Sequence, residues 1–214
     1  MYKHIFFDLD GTLTDSKLGI TKAIQYALNK EGIEEIDLSK LEKLVGPPLN
    51  ETFSKDFNFD EITTERAINN FREYFSDTGI YENNLYAGVL ELLNDLKEKG
   101  YTISIATSKP TVYAERIINH FHIEKYFHKI VGSNLDGTRN SKAEVIEYLL
   151  KEIGMNGNED IVMIGDRKHD IEGANLNNLN CIGVLYGYGS LEELQQLNPT
   201  YIVESIEELY DKLA

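Results

Sequence analysis

Short apolar runs recur at residues 5–7, 102–106, 129–131, 161–164, 181–185 and 201–203. Their length and apolar continuity predict buried strands. From Gly88 onward they alternate with stretches of helical period. Val89, Leu92, Leu93 and Leu96 follow the i, i+3, i+4, i+7 spacing, and residues 115–121, 143–153, 190–197 and 205–213 carry helical patterns too. Gly100, Gly154 and Gly157 stand where helices should end. Strand and helix alternating at this spacing predicts an α/β fold, a Rossmann-like parallel sheet with helices on both faces.

Residues 15–84 break the alternation. They show no convincing strand and read as four helices near 17–31, 38–44, 49–57 and 60–76, the first with Ile20, Ile24, Ala27 and Leu28 on one face. The loop Val45-Gly46-Pro47-Pro48 divides them. A helical stretch of about 70 residues is too long for a connection. The expected organisation is therefore an α/β core of residues 1–14 and 85–214 with a helical domain of residues 15–84 inserted into it.

Composition narrows the function. The 214 residues carry a formal net charge of −15. That argues against a nucleic-acid polymer as partner, which needs a basic face. It leaves a small anionic substrate open, because binding follows the local field of a cleft. The single cysteine, Cys181, excludes an intrachain disulfide and a Cys-rich metal site, and its apolar neighbours predict burial. No signal peptide is read at the N-terminus, and no run approaches the roughly 18 apolar residues of a membrane span. A cytoplasmic protein without a membrane partner is the expectation, as a monomer or homodimer.

Candidate chemistry collects at strand ends. The first strand runs into Asp8-Leu9-Asp10-Gly11-Thr12-Leu13. Alternation along a strand would put Asp8 and Asp10 on the same side, facing the crevice beyond the carboxyl ends of a parallel sheet. An Asx-turn pair or a metal-binding Asp-x-Asp of a glycosyltransferase remains an open reading. The strand at 161–164 runs into Gly165-Asp166-Arg167-Lys168-His169-Asp170, where a helix cap at Asp166 or Asp170 is the alternative reading. Together Asp8, Asp10, Asp166 and Asp170 would converge on one crevice. Carboxylates at 4 Å repel by about 4 kcal/mol per pair at an effective dielectric of 20. Such a cluster calls for a cation, and an all-oxygen donor set suits Mg²⁺. Thr107, with Ser108 beside it, brings a hydroxyl to another strand tip, and Lys142 opens a helix. A helix cap for Thr107 and a surface position for Lys142 stay open. Lys109 either reaches a substrate or lies at the surface. His120, His122 and His128 read as structural or surface residues.

Four of these stretches resemble the motifs of the haloacid dehalogenase superfamily: Asp8-Leu9-Asp10-Gly11-Thr12-Leu13, Thr107, Lys142, and Gly165 to Asp170. The helical insert lies where that family's helical cap sits. Val45-Gly46-Pro47-Pro48-Leu49, Ala106 to Pro110 and Ile182 to Gly189 look most like its phosphoglycolate phosphatase and bacterial 5′-nucleotidase-like branch.

The resemblance implies a Mg²⁺-dependent phosphomonoester hydrolase acting on a nucleoside 5′-monophosphate or phosphoglycolate. Asp8 would be the nucleophile and Asp10 the acid and base. Thr107, Ser108, Lys142 and the backbone N–H groups up to Gly11 would hold phosphoryl oxygens. Asp8, the Asp10 carbonyl, Asp166 and Asp170 would serve the metal, whether Mg²⁺ or Mn²⁺. The cap would close over the cleft, with Val45-Gly46-Pro47-Pro48 as its specificity loop or as a rigid turn. Asp10 argues against a dehalogenase, which has no oxygen leaving group to protonate. The competing expectations are a sugar phosphomutase of the same superfamily and, in a different class, a phosphorylatable receiver-like signalling domain.

Overall fold

The computed structural model describes residues 2–34, 37–157 and 160–213. The chain divides into two compact units, Met1–Thr14 with Leu85–Ala214, and Asp15–Asn84.

The first unit begins with β1 (His4–Phe7) and the first residue of β2 (Thr14–Asp15). In the second unit α1 (Lys17–Lys30) is followed by a 3₁₀ segment at Leu38–Leu44, then α2 (Leu49–Glu51) running into a π-helical turn at Thr52–Asp56, α3 (Glu61–Asp77) and a 3₁₀ turn at Gly79–Tyr81. β3 (Asn84–Leu85) pairs with β2 in a two-stranded sheet, a pairing too short to show as a sequence pattern. The first unit resumes with α4 (Val89–Glu98), β4 (Thr102–Pro110), α5 (Thr111–His120), β5 (Phe127–Ser133) and α6 (Lys142–Glu152). It continues through β6 (Ile161–Gly165), α7 (Lys168–Leu176), β7 (Asn180–Val184), α8 (Leu191–Gln195), β8 (Tyr201–Val203) and α9 (Ile206–Leu213).

The described residues of the first unit form a six-stranded sheet in the order β5-β4-β1-β6-β7-β8, parallel throughout. Counted along the chain this is the doubly wound order 3-2-1-4-5-6. The chain winds outward from β1 through β4 to β5, then crosses back to lay β6 on the other side of β1. The crevice at the carboxyl ends of β1 and β6 is therefore the topological switch point, where such sheets bind ligands.

Both sheet faces are covered. Phe6, Ala106, Met163 and Cys181 belong to one buried cluster with Val145, Ile146 and Leu149 of α6, Ile171 and Ala174 of α7, and Leu194 of α8. The alternate residues Ile5, Phe7, Val162, Ile164 and Ile182 point the other way and are also fully buried. This is why the strands read as continuous apolar runs.

One element escapes the sequence pattern. α7 carries few apolar residues and a glycine, so no helical period marks it in the sequence. Gly173 explains its form: a Cβ there would lie 2.9 Å from Lys142 Cγ and 3.1 Å from the Ala143 backbone nitrogen. The helix gives up helical propensity to let the start of α6 approach. Gly157, read as a helix end, instead packs so closely on the Asn177 carbonyl that a Cβ would meet it at 1.7 Å.

In the second unit, α1 turns Ile20, Ala23, Ile24, Ala27 and Leu28 inward, and α3 turns Ala67, Phe71 and Phe75 inward. Gly19 sits against the Gly79 carbonyl, where a Cβ would come within 1.9 Å. Lys22 and the Tyr74 hydroxyl both bind Glu82. No helix among the described residues is long and apolar enough to cross a membrane.

Candidate active site

Three adjacent strand ends build the site within the first unit. The strand pairing of β1 ends at Phe7, and the Asp8 N–H donates to the Ile164 carbonyl of β6 at 2.8 Å. The chain then turns sharply. Leu13 and Thr14 N–H both donate to the Leu9 carbonyl at 3.0 Å, and Gly11 N–H donates to the Thr14 carbonyl at 2.8 Å. This loop, and not strand alternation, places Asp8 and Asp10. Gly11 has φ +81°, a left-handed backbone that favours glycine.

Asp8 Oδ1 accepts from the Leu9 N–H at 2.7 Å and lies 2.8 Å from Lys142 Nζ. The same ammonium lies 2.8 Å from Asp170 Oδ1 and donates to the Ala106 carbonyl at 2.9 Å. Two carboxylates and a carbonyl thus surround one ammonium. Lys142 is 4% exposed, so a surface position is ruled out. It is the first residue of α6, whose start is fixed by a capping box of Ser141 and Glu144.

Asp166 follows β6 and is fully buried. Thr12 Oγ1 donates to its Oδ1 at 3.3 Å and the Tyr188 N–H to its Oδ2 at 2.7 Å. Asp170 Oδ2 accepts the Arg167 N–H at 3.0 Å, closing the first turn of α7. The N-cap position itself is Arg167, so neither Asp166 nor Asp170 serves as the cap residue. Carboxylate oxygens of Asp8, Asp166 and Asp170 lie within 4.8 Å of one another.

Asp10 takes a different partner. Its carboxylate is outside that three-residue cluster, and Oδ2 lies 3.0 Å from Lys109 Nζ. Lys109 is buried, not a surface residue. β4 runs past its apolar run to Pro110, with a register shift between Ala106 and Pro110 that bends the Thr107–Lys109 segment out of regular pairing. Thr107 is therefore part of a distorted strand end. It does not cap α5, whose N-cap is Pro110. The buried Thr107 Oγ1 accepts the Lys109 N–H at 3.3 Å, and the Ser108 carbonyl accepts from Ser133 Oγ at 2.8 Å. The N–H groups of Leu9 and Gly11, expected to face a phosphoryl group, are instead engaged by Asp8 and Thr14.

The electrostatics show what the cluster lacks. Burial, then Asp170 and Asp8, pushes the Asp166 carboxyl well above the usual range. Burial outweighs the pull of Lys142, and with Asp8 pushes Asp170 up to about 6. Burial alone would lower Lys142, but Asp170 and Asp8 overcome it and raise its pKa. When all three carboxyls are ionised, they and the one ammonium leave two negative charges in a buried space. A divalent cation with hard oxygen preference fits that charge and donor set. The described residues offer no comparable group of His, Cys, Asp or Glu elsewhere, so His120, His122 and His128 form no metal cluster.

Four contacts were not foreseen: the Lys109 ion pair, Thr12, and the two glycines of Tyr186-Gly187-Tyr188-Gly189. A Cβ on Gly187 would fall 2.4 Å from Asp166 Cβ and 2.3 Å from the Gly11 carbonyl. One on Gly189 would fall 1.9 Å from the Asp166 carbonyl. The signal was a glycine pair directly after a buried strand, which marks close backbone approach. The Tyr186 hydroxyl donates to the Thr12 carbonyl at 3.2 Å, tying this loop to the first motif.

Comparison with known proteins gives the family. The profile of the haloacid dehalogenase-like hydrolases matches residues 5–184. A protein of Pseudomonas aeruginosa named 5′-nucleotidase is 48% identical over 200 residues, 94% of this chain and 90% of that protein. A Mycobacterium tuberculosis protein named tyrosine-protein kinase PtkA is 38% identical over 98% of this chain and 72% of its own length. A crystal structure described as a predicted phosphatase from Clostridium acetobutylicum superposes with a TM-score of 0.96 at 48% identity, covering 100% of this chain and 98% of that one. With the family profile running from β1 to the end of β7, the chain belongs to the haloacid dehalogenase-like hydrolases and is a phosphatase of that family.

Proposed function

We propose that this chain is a Mg²⁺-dependent phosphomonoester hydrolase that works through an aspartyl-phosphate on Asp8. The observation that carries the reading is Asp8 itself. Its Oδ1 is pinned by the Leu9 N–H and the buried Lys142 ammonium, while Asp166 and Asp170 stand beside it. A carboxylate oriented at a switch-point crevice is placed for nucleophilic attack.

In the first half-reaction an Asp8 oxygen forms a bond to phosphorus as the bond from phosphorus to the leaving oxygen breaks. Asp10 gives that oxygen a proton. In the second, Asp10 takes a proton from water, whose oxygen attacks phosphorus, and the Asp8 carboxylate is released with inorganic phosphate. Asp8, Asp166 and the Asp10 carbonyl would hold Mg²⁺, with Asp170 supporting them. When bound, the cation supplies positive charge against the phosphoryl oxygens. Thr107, Ser108 and the Lys142 charge stabilise those oxygens as charge develops on them. Lys142 also keeps Asp8 and Asp170 in place, since its ammonium lies 2.8 Å from both carboxylates.

The substrate class is a small phosphorylated metabolite, a nucleoside 5′-monophosphate or phosphoglycolate. The 48% identity to a protein named 5′-nucleotidase supports the first. A second reading, transfer to an acceptor other than water, is kept open by the relative named as a tyrosine kinase.

Phosphate release is the test, measured over nucleoside 5′-monophosphates, phosphoglycolate and sugar phosphates, with Mg²⁺ and with EDTA. Hydrolysis that needs the metal and falls at least 1,000-fold, on the order of other nucleophile losses, in Asp8→Asn supports the proposal. Near-wild-type turnover in Asp8→Asn overturns it. A phosphorylated acceptor with little free phosphate would favour transfer.

A further inference from the structure

The Lys109–Asp10 pair is more than a buried ion pair. Both side chains are largely buried, and Lys109 Nζ lies 3.0 Å from Asp10 Oδ2. The other oxygen, Asp10 Oδ1, is buried with no hydrogen-bond partner. Buried carboxylate oxygens are rarely left so. One oxygen is thus tethered and one is left open, and the carboxylate is held out of the three-aspartate cluster that suits the metal.

The backbone that carries Lys109 is itself fixed. Its N–H is bound by Thr107 Oγ1 at 3.3 Å. Its carbonyl lies against Gly132 of the neighbouring β5, where a Cβ would come within 2.1 Å. Gly132 is held in turn, its N–H donating to Thr111 Oγ1 at 3.0 Å and its carbonyl accepting from Arg139 Nε at 2.8 Å. β5 therefore has no side chain at the one point where Lys109 must come close. An ammonium on so fixed a stem sets where Asp10 can sit.

The geometry points to Lys109 as the positioning residue of the proton-transferring carboxylate: by binding Oδ2 it presents Oδ1 to the leaving oxygen and later to water. The inference rests on the phosphatase reading and deepens it. It separates two cationic jobs in the site. Lys142 orients the Asp8 carboxylate, and Lys109 orients the Asp10 carboxylate.

The competing job for Lys109 is direct binding of substrate, and the two differ in what they predict. A residue that acts only through Asp10 matters where the leaving group needs a proton, and matters no further once Asp10 cannot transfer one.

The experiment follows the first-turnover rate, under Mg²⁺, of wild type, Lys109→Met, Lys109→Arg, Asp10→Asn and the Asp10→Asn/Lys109→Met double variant. The substrates are the alkyl phosphate turned over fastest in the panel above and p-nitrophenyl phosphate, whose leaving group needs no proton. Lys109→Met is expected to slow the alkyl phosphate about 10- to 100-fold, a part of the usual acid–base contribution, with KM within about threefold of wild type. The p-nitrophenyl phosphate rate should stay within about threefold, Lys109→Arg should recover part of the loss, and the double variant should match Asp10→Asn.

Equal loss on both substrates, a KM rise that accounts for the loss, an unchanged alkyl phosphate rate, or a further drop of the same factor on top of Asp10→Asn overturns the positioning role. Should Lys109→Met alone unfold, the charge-neutral double variant against Asp10→Asn still decides. Wild-type protein that turns over neither substrate overturns the phosphatase reading, and this inference with it.

Discussion

Gly11 has no room for a side chain because Asp166 fills the space: a Cβ on Gly11 would fall 2.2 Å from Asp166 Oδ2. The residues are 155 positions apart in the chain, yet the turn after β1 and the turn after β6 fit only if one of them is bare. Gly11→Ala would also force an L-residue to φ +81°, at a cost of about 1–2 kcal/mol. Asp166 is buried and cannot swing away freely. We expect divalent-cation affinity to fall at least tenfold and turnover to be nearly lost, comparable with losing a ligand-supporting contact. Calorimetric titration with Mg²⁺ checks it, and an unchanged affinity would show that the contact does not shape the metal site.

Lys142→Met should destabilise the metal-free protein by about 3–5 kcal/mol, the cost of leaving buried carboxylates without their cation. Asp8 and Asp170 would both lose a partner at 2.8 Å. Urea unfolding measures it. Mg²⁺ should recover part of the loss, since it supplies the missing charge. A loss well below 1 kcal/mol would mean the two aspartates find water or protons instead.

The cluster also sets a pH dependence. Asp166 and Asp170 have folded pKa values raised above their unfolded values, Asp170 from 3.8 to about 6. A raised carboxyl holds its proton longer in the folded state, so its contribution is present at low pH and is lost as pH rises through the folded pKa. Metal-free protein should therefore lose several degrees of melting temperature between about pH 4 and somewhat above pH 6. Mg²⁺ binding needs the deprotonated groups, so its stabilising effect should grow across the same range. Melting curves with EDTA and with Mg²⁺ at several pH values test both signs. A metal-free melting temperature that rises steadily with pH would contradict them.

Gly19→Ala probes the helical unit. The new methyl would fall 1.9 Å from the Gly79 carbonyl, a backbone atom that cannot rotate aside. Overpacking of this kind costs about 1–3 kcal/mol. Hydrogen exchange should show faster opening of α1 and α3, with Mg²⁺ affinity unchanged because every cluster carboxylate lies in the other unit.

How much of this was legible beforehand depends on distance along the chain. The strand runs appear as apolar stretches because both sheet faces are buried. α7 was illegible because its shape answers to Lys142, which a local window does not contain. β4 was read too short because its bent end, from Thr107 to Pro110, is held by β5 and carries polar residues. The acidic motifs were visible as types and spacings, but their pairings were not. Lys142 was read as a phosphate contact or a surface residue, and the fold makes it the shared partner of Asp8 and Asp170. Lys109 had no sequence signal that separated surface from site.

The sequence by itself determined which chemistry was available: carboxylates after two apolar runs, a hydroxyl after a third, and glycines where backbone must turn. Those follow from local rules of periodicity and turn formation. Only the tertiary structure decided which carboxylate meets which ammonium, because β1, β4 and β6 become neighbours through the crossing order of the sheet. Coulomb energy and burial depend on distance in space, and a few ångströms separate an aspartate inside the three-carboxylate cluster from one paired outside it with Lys109.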